Sequence, residues 1–368
     1  MAHDALVLGT LCEDLFPAFA SEPRLQPGAL FEIGALRAQP GGCVANTGFA
    51  LAELGTATAL AADVGDDALG ELLIGHIDQR GADAALIRRV PGRSTSYSVV
   101  VEGAADRCIW HHRGANAHFD GQRLNAVPAG VVHAGYPSLL DRFAADRGAA
   151  LVRLFEQHKR DGSTTSLDLA VVDGSDGVAA VDWMSWLGNV LPHTDVFAPS
   201  VDDLRSMGAV GVGARGDVAG LARLLLEMGA AVVVLKDSTA GITLLSAGRA
   251  RLQAAGDALA ADAVEWADLS LWMPALDVSE LSTAGAGDAA VAGLLHGIAQ
   301  GLGPEDALRC AAAASAARVE GGGAIPRWEA LRARLDNGWT VRPAVPPPGC
   351  DVVSVAHARF DSTAVTGR

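Results

Sequence analysis

The sequence predicts an α/β fold: a doubly wound, mostly parallel sheet with a small layer of β-strands inserted into it. Three observations carry this expectation. Apolar runs of strand length alternate with helical stretches, glycines stop several of the helices, and two stretches of strand period break into the series. Ala5-Leu6-Val7-Leu8-Gly9 reads as the first core strand, and the proline-rich stretch Glu13 to Gln39 suits extended strands and connections. Alternation then becomes regular: helix 43–54 stopped by Gly55, strand 57–64, helix 67–80 stopped by Gly81, and strand 84–90. Residues 94–102 and 107–113 alternate with period two around Gly103-Ala104-Ala105-Asp106, a hairpin expected to join 13–39 in space. The βα series resumes with strand 130–135, helix 141–159, strand 164–169, helix 178–191, strand 195–199, helix 216–228 and strand 231–236. A further hairpin is expected to pair Ile242–Leu245 with Ala250–Gln253. Three helices follow near 287–300, 304–319 and 327–336. The boundaries are a main domain of 1–12, 40–91 and 126–340, inserted strands at 13–39 and 92–125, and a proline-rich linker and tail at 341–368.

Half of the 368 residues are apolar, enough for a sizeable core. The net charge of −15 argues against nucleic acid or an anionic membrane surface as partner, because both repel an acidic protein. The five cysteines are scattered and never spaced as a metal knuckle or redox pair, which suits a reducing compartment. Met1 to Asp4 lacks a basic leader, and no run reaches the roughly eighteen apolar residues that span a bilayer. A cytoplasmic protein is the expectation.

Two motifs carry chemistry. Ser282-Thr283-Ala284-Gly285-Ala286-Gly287-Asp288 opens an apolar helix with small residues, so backbone N–H groups and the helix dipole can receive a bulky anion. Asp288 then lies in the first turn, where it can take a proton from a hydroxyl attacking a phosphoryl group. The plainer reading is a capped helix start whose acid complements the dipole. Far upstream, Pro40-Gly41-Gly42-Cys43-Val44-Ala45-Asn46 opens a second helix, and the Asn46 amide both donates and accepts, as sugar hydroxyls require. Its plainer reading is an Asn satisfying its own turn.

In this order and separation the two motifs resemble the signatures of the ribokinase-like, phosphofructokinase B-type (PfkB) carbohydrate kinases. Gly65-Asp66-Asp67 with Gly70, Arg93-Ser94-Thr95 before alternating Tyr97, Val99 and Val101, Gly114-Ala115-Asn116, and Ala311–Ala317 followed by Gly322-Gly323-Ala324 are similar to further family elements. The resemblance spans roughly residues 5–335. It implies a three-layer core with the inserted strands as a lid, and ATP- and Mg²⁺-dependent phosphorylation of a hydroxyl on a small sugar or nucleoside. It makes Asp288 the base and the backbone of Gly285, Ala286 and Gly287 the anion hole. Asp14, Gly41, Gly42, Asn46 and Asn116 would bind the acceptor, and Lys236, Ser238, Gly241 and Gly323 the nucleotide. The lid also implies a surface for a homodimer.

Departures from the family pattern gather at the metal. Ser200-Val201-Asp202-Asp203 stands where the family has Asn-x-x-Glu, leaving Asp203 for indirect Mg²⁺ contact or as a favourable helix-start charge. Ser282 and Ala284 replace Asp and Thr of many relatives, which puts monovalent-cation activation in doubt. Ser238 replaces a glycine, and Tyr136 stands where ribokinase has a sugar-binding Glu. These departures keep a non-catalytic sugar- or nucleotide-binding homologue as a rival. A nucleotide-binding oxidoreductase fits poorly, because no Gly-x-Gly-x-x-Gly follows the first strand.

Overall fold

A computed structural model describes residues 3–19, 26–102, 107–172, 181–208, 217–279, 283–321 and 324–356. Its strands, in chain order, are β1 His3–Gly9, β2 Cys12–Pro17, β3 Leu36–Gly41, β4 Thr58–Gly65, β5 Leu86–Val90, β6 Tyr97–Glu102 and β7 Arg107–His112. Then come β8 Ala129–Gly135, β9 Thr164–Leu167, β10 Val196–Phe197, β11 Val232–Lys236, β12 Ile242–Ser246, β13 Ser270–Met273 and β14 Asp351–Val352. Among the helices, α1 is Gly42–Leu54, α2 Ala68–Gln79, α3 Asp141–Ala144, α4 Ala149–Arg160, α5 Trp183–Val190 and α6 Val201–Ser206. The remainder are α7 Val218–Glu227, α8 Arg249–Gln253, α9 Asp257–Ala260, α10 Ala286–Ala299, α11 Pro304–Gly321 and α12 Trp328–Asp336.

Ten strands form the main sheet in the order β14-β13-β12-β11-β10-β9-β8-β1-β4-β5. From β5 to β11 every pairing is parallel, and β12 then runs antiparallel to both β11 and β13. The apolar core strands follow from burial on both faces. In β1, Ala5 and Val7 join the core on one side while Leu6 and Leu8 join the core on the other; Val232 and Val234 oppose Val233 and Leu235 in the same way on β11. Helices α1, α10, α11 and α12 cover the first face, and α4, α5, α6 and α7 the second. Helices α10 and α11 approach closely because Gly293 is small: a Cβ there would stand 2.5 Å from the Cys310 carbonyl oxygen.

The second sheet has the order β3-β2-β6-β7. Strand β2 pairs in parallel with β6 through Glu13↔Tyr97 to Leu15↔Val99, so the two inserted segments meet in one layer.

Three local expectations are corrected. Residues 249–253 form helix α8, not a strand, and β12 finds its partners in β11 and β13. The five-residue Arg-Ala-Arg-Leu-Gln is too short for its period to decide, and its residues are good helix formers. The expected helix 141–159 is broken between α3 and α4, where Arg147 and Gly148 take positive φ of 52° and 77°. A Cβ on Gly148 would meet Val190 Cγ2 at 2.4 Å, so α5 leaves no room for a side chain there. Beyond the proline-rich stretch, Asp351–Val352 pairs in parallel with β13 and extends the main sheet.

Candidate active site

A cleft of about 1190 Å³ opens over the carboxyl ends of the parallel strands, the edge at which open α/β sheets bind ligands. Thr10 after β1, Tyr136 after β8, Asp168 after β9, Ser200 after β10 and Lys236 at the end of β11 form its floor. Asp14 of β2, Ser98 of β6 and His111 of β7 line it from the second sheet.

Packing of α1 on α10 brings the two motifs together. Asn46 Nδ2 donates to Asp288 Oδ2 at 3.1 Å, across 242 residues of sequence. Thr47 Oγ1 donates to Asp288 Oδ1 at 3.3 Å, and the Tyr136 hydroxyl donates to the same oxygen. Gly285 suits this meeting through its φ of 73°, which starts the helix in the left-handed region that favours glycine. The N-cap position of α10 is Gly285 itself, the Ala286 N–H donates to the Thr283 carbonyl at 3.2 Å, and Gly285, Ala286 and Gly287 line the cleft. Ser282 lies outside the described residues.

Asp288 is 8% exposed. Burial raises its pKa above the ordinary carboxylate value, while the Tyr136 bond, the Lys236 charge and the Asn46 and Thr47 bonds oppose the rise. A helix-start acid looks solvated in the sequence until the neighbouring strand ends are placed around it.

Lys236 Nζ donates to Asp168 Oδ2 at 2.7 Å, with Asp168 buried and Lys236 largely so. Burial works against the Lys236 charge, but Asp168, Asp203 and Asp288 outweigh it and raise its pKa. Asp168 is pushed up to about 7 by burial, against the pull of Lys236. A Cβ on Gly287 would stand 3.6 Å from Lys236 Nζ, so the ammonium sits beside the glycine backbone as a third source of positive potential.

On the acceptor side, Asp14 leans over Gly41, where a Cβ would collide with its Oδ2 at 2.0 Å. Gly42 takes φ of 81° as the chain turns into α1. Asn116 departs from its expected place: it is fully buried and outside the cleft lining. Its Nδ2 donates to the Leu11 carbonyl at 3.1 Å, and its Oδ1 accepts from the Leu11 N–H at 3.5 Å. The amide is spent on the crossover between β1 and β2. It braces the segment carrying Asp14.

Ser238 and Gly241 line the opposite end of the cleft, facing Ala312, Ser315, Ala316 and Val319 of α11. Gly323 lies outside the described residues. Asp203 lines the cleft and also closes a capping box on α6: its Oδ2 accepts from the Ser200 N–H at 2.8 Å, and Ser200 Oγ accepts from the Asp203 N–H at 3.0 Å. The helix-start reading of Asp203 is the one this capping box displays. Among the described residues, no group of three or more His, Cys, Asp or Glu is placed to hold a metal ion.

Sequence reasoning missed Asp168 and Thr47, and noticed Tyr136 only for the Glu it replaces. The available signal for Asp168 was its place: a carboxylate immediately after the core strand Thr164–Leu167, at the ligand-binding edge.

Fold and cleft together define an α/β kinase of the ribokinase-like class. A family model described as pfkB family carbohydrate kinase matches residues 3–331, and the chain belongs to that family of carbohydrate kinases. Among solved structures it is similar to Arabidopsis thaliana ribokinase complexed with ribose and ATP, with TM-score 0.69 and 19% identity over 90% of this chain and 98% of that one. It is also similar to Xylella fastidiosa fructokinase with bound ATP, with TM-score 0.68 and 20% identity over 91% and 99%. Burkholderia thailandensis nucleoside kinase in complex with inosine gives TM-score 0.64 and 18% identity over 92% and 100%. At these identities the likeness speaks to the fold. Among curated proteins compared by sequence, none matches significantly.

Proposed function

We propose that this protein transfers the γ-phosphoryl group of ATP to a hydroxyl, primary in the simplest case, of a small sugar or nucleoside. Asp288 is the general base and the Gly285–Gly287 backbone the anion hole. The observation that carries this reading is the Asn46–Asp288 contact at a glycine-led helix start inside the cleft. Asn46, Thr47 and Tyr136 satisfy the buried carboxylate and fix it beside the Gly285–Gly287 backbone. The solved neighbours named for ribose, inosine and ATP support both acceptor classes.

In the reaction the acceptor lies between Asp14 and Asn46 under the second sheet, which acts as a lid (13–39 and 92–125) and limits water access. As the acceptor oxygen bonds to the γ-phosphorus, its proton passes to the Asp288 carboxylate. The bond from that phosphorus to the bridging oxygen breaks, and ADP leaves. Developing charge on the phosphoryl oxygens is met by the N–H groups opening α10 and by Lys236. A positioned base contributes about 10²- to 10⁴-fold. Mg²⁺ takes hard oxygen ligands and keeps most of its waters, which suits the carboxylates Asp202 and Asp203 that line the cleft. Asp203, with Asp202 beside it, would hold that ion through water, and the ion supplies charge neutralisation. Ser238–Gly241 and α11 would flank the nucleotide.

A coupled ADP-release assay across a panel of sugars and nucleosides tests the reading. Turnover on one class supports it, while tight binding with no turnover on any compound makes the protein a non-catalytic binder. The lid also presents exposed apolar side chains, Leu30 at 97% and Trp110 at 52%, with Phe31, Ile33 and Leu36 nearby in sequence. We take the lid as a homodimer surface, and light scattering on Trp110→Glu against the parent protein reports it. No helix among the described residues is long and apolar enough to cross a membrane.

A further inference from the structure

Tyr136 sits one residue beyond β8, anchored by its backbone N–H, which donates to Thr10 Oγ1 at 3.2 Å. Thr10 is itself tied back, its N–H donating to the Gly135 carbonyl at 2.7 Å. From this fixed point the side chain crosses the cleft floor and donates its hydroxyl to Asp288 Oδ1. That oxygen also accepts from Thr47, so its two lone-pair sites are filled, whereas Oδ2 accepts from Asn46 and keeps a site for an incoming alcohol. We propose that Tyr136 is a positioning residue for phosphoryl transfer, its phenol holding Asp288 ionised and turned so that Oδ2 meets the acceptor hydroxyl. This rests on the reading of Asp288 as the base.

The surroundings explain why such a donor is needed. Asp288 faces Asp168 after β9, Asp203 on α6 and the Cys43 thiol on α1, and each of these interacts unfavourably with its charge. Lys236 on β11 and Arg318 on α11 act in the opposite sense, but Lys236 is bound to Asp168. Burial therefore favours the protonated carboxyl, a form unable to act as base, and the Tyr136 bond is the foremost influence against it. The phenol remains a donor throughout, because burial and the nearby Asp288 charge hold its own proton far above neutrality.

The test is the pH profile of kcat/KM for full-length Tyr136→Phe on whichever acceptor the panel reveals. A hydrogen bond to a charged group corresponds to a shift of about one to two pH units. The acidic limb is expected to move up by that amount, with activity returning to within a few-fold of the parent at pH 9. A uniform loss at every pH would overturn the proposal and leave Tyr136 a packing residue. Asp288→Asn measured alongside separates the two readings: a still-active Asp288→Asn removes the base, whereas an inactive one with an unmoved limb in Tyr136→Phe removes only the role of Tyr136.

Should Tyr136→Phe not fold, the chain's 2 tyrosines allow a second route. Incorporating 3-fluorotyrosine into a Tyr97→Phe background makes residue 136 a more acidic, stronger donor. The acidic limb should then move down, and an unchanged limb would overturn the proposal equally.

Discussion

Replacing Lys236 with Met removes the positive charge bonded to Asp168 beneath the glycine loop. Its Nζ lies 2.7 Å from Asp168 Oδ2, with side chains only 11% and 2% exposed. Breaking such a buried pair from one side costs about 3–5 kcal/mol, because the remaining charge is left uncompensated. For a chain of 368 residues the unfolding entropy is about 0.8 kcal/mol per degree, so Tm should fall by roughly 4–6 °C. The pH dependence sharpens the expectation. Asp168 has a folded pKa of about 7 against an ordinary value near 3.9, so between these the folded state binds more protons and its stability declines as pH rises. Without Lys236 the folded pKa of Asp168 climbs further and the decline extends to higher pH. Thermal unfolding of parent and variant at pH 5.5 and 8.5 should show a clearly larger gap at pH 8.5. Equal gaps at both values would refute the linkage between Lys236 and the carboxylates.

Gly41→Ala places a methyl group where Asp14 Oδ2 now sits, with no strain from its φ of −134°. Displacing Asp14 should raise the acceptor KM about tenfold or more while leaving the nucleotide KM within about twofold, and steady-state kinetics on both substrates reads the split. Asp203→Asn keeps an acceptor for the Ser200 N–H but loses the charge. Its stability should hold to within about 1 kcal/mol, while the Mg²⁺ concentration for half-maximal rate rises several-fold; an unchanged Mg²⁺ titration would remove Asp203 from metal handling.

Periodicity was enough to reveal the parallel core, since alternate residues of Ala5–Leu8 in β1 and Val232–Leu235 in β11 feed opposite cores and leave no polar position between them. Both glycine-rich turns were equally legible, because small residues before a helix have few other uses. What periodicity could not show was which strand ends adjoin. Asp168 and Tyr136 reach Lys236 and Asp288 only because β9 and β8 lie between β10 and β1, an order set by tertiary packing. Asn116 misled for a related reason. Its amide suits a sugar as well as it suits the Leu11 backbone, and only the path of the chain into β2 decides between them. The five residues of α8 carried too little pattern to distinguish helix from strand.

Turnover by Asp288→Asn in the ADP-release assay tests the central claim most directly, since the isosteric amide keeps contacts with Thr47 and Tyr136 within reach but cannot take up a proton. Loss of about 10²-fold or more in kcat, with acceptor and nucleotide affinities within a few-fold of the parent, is the expected result. A variant that turns over at nearly the parental rate would contradict it.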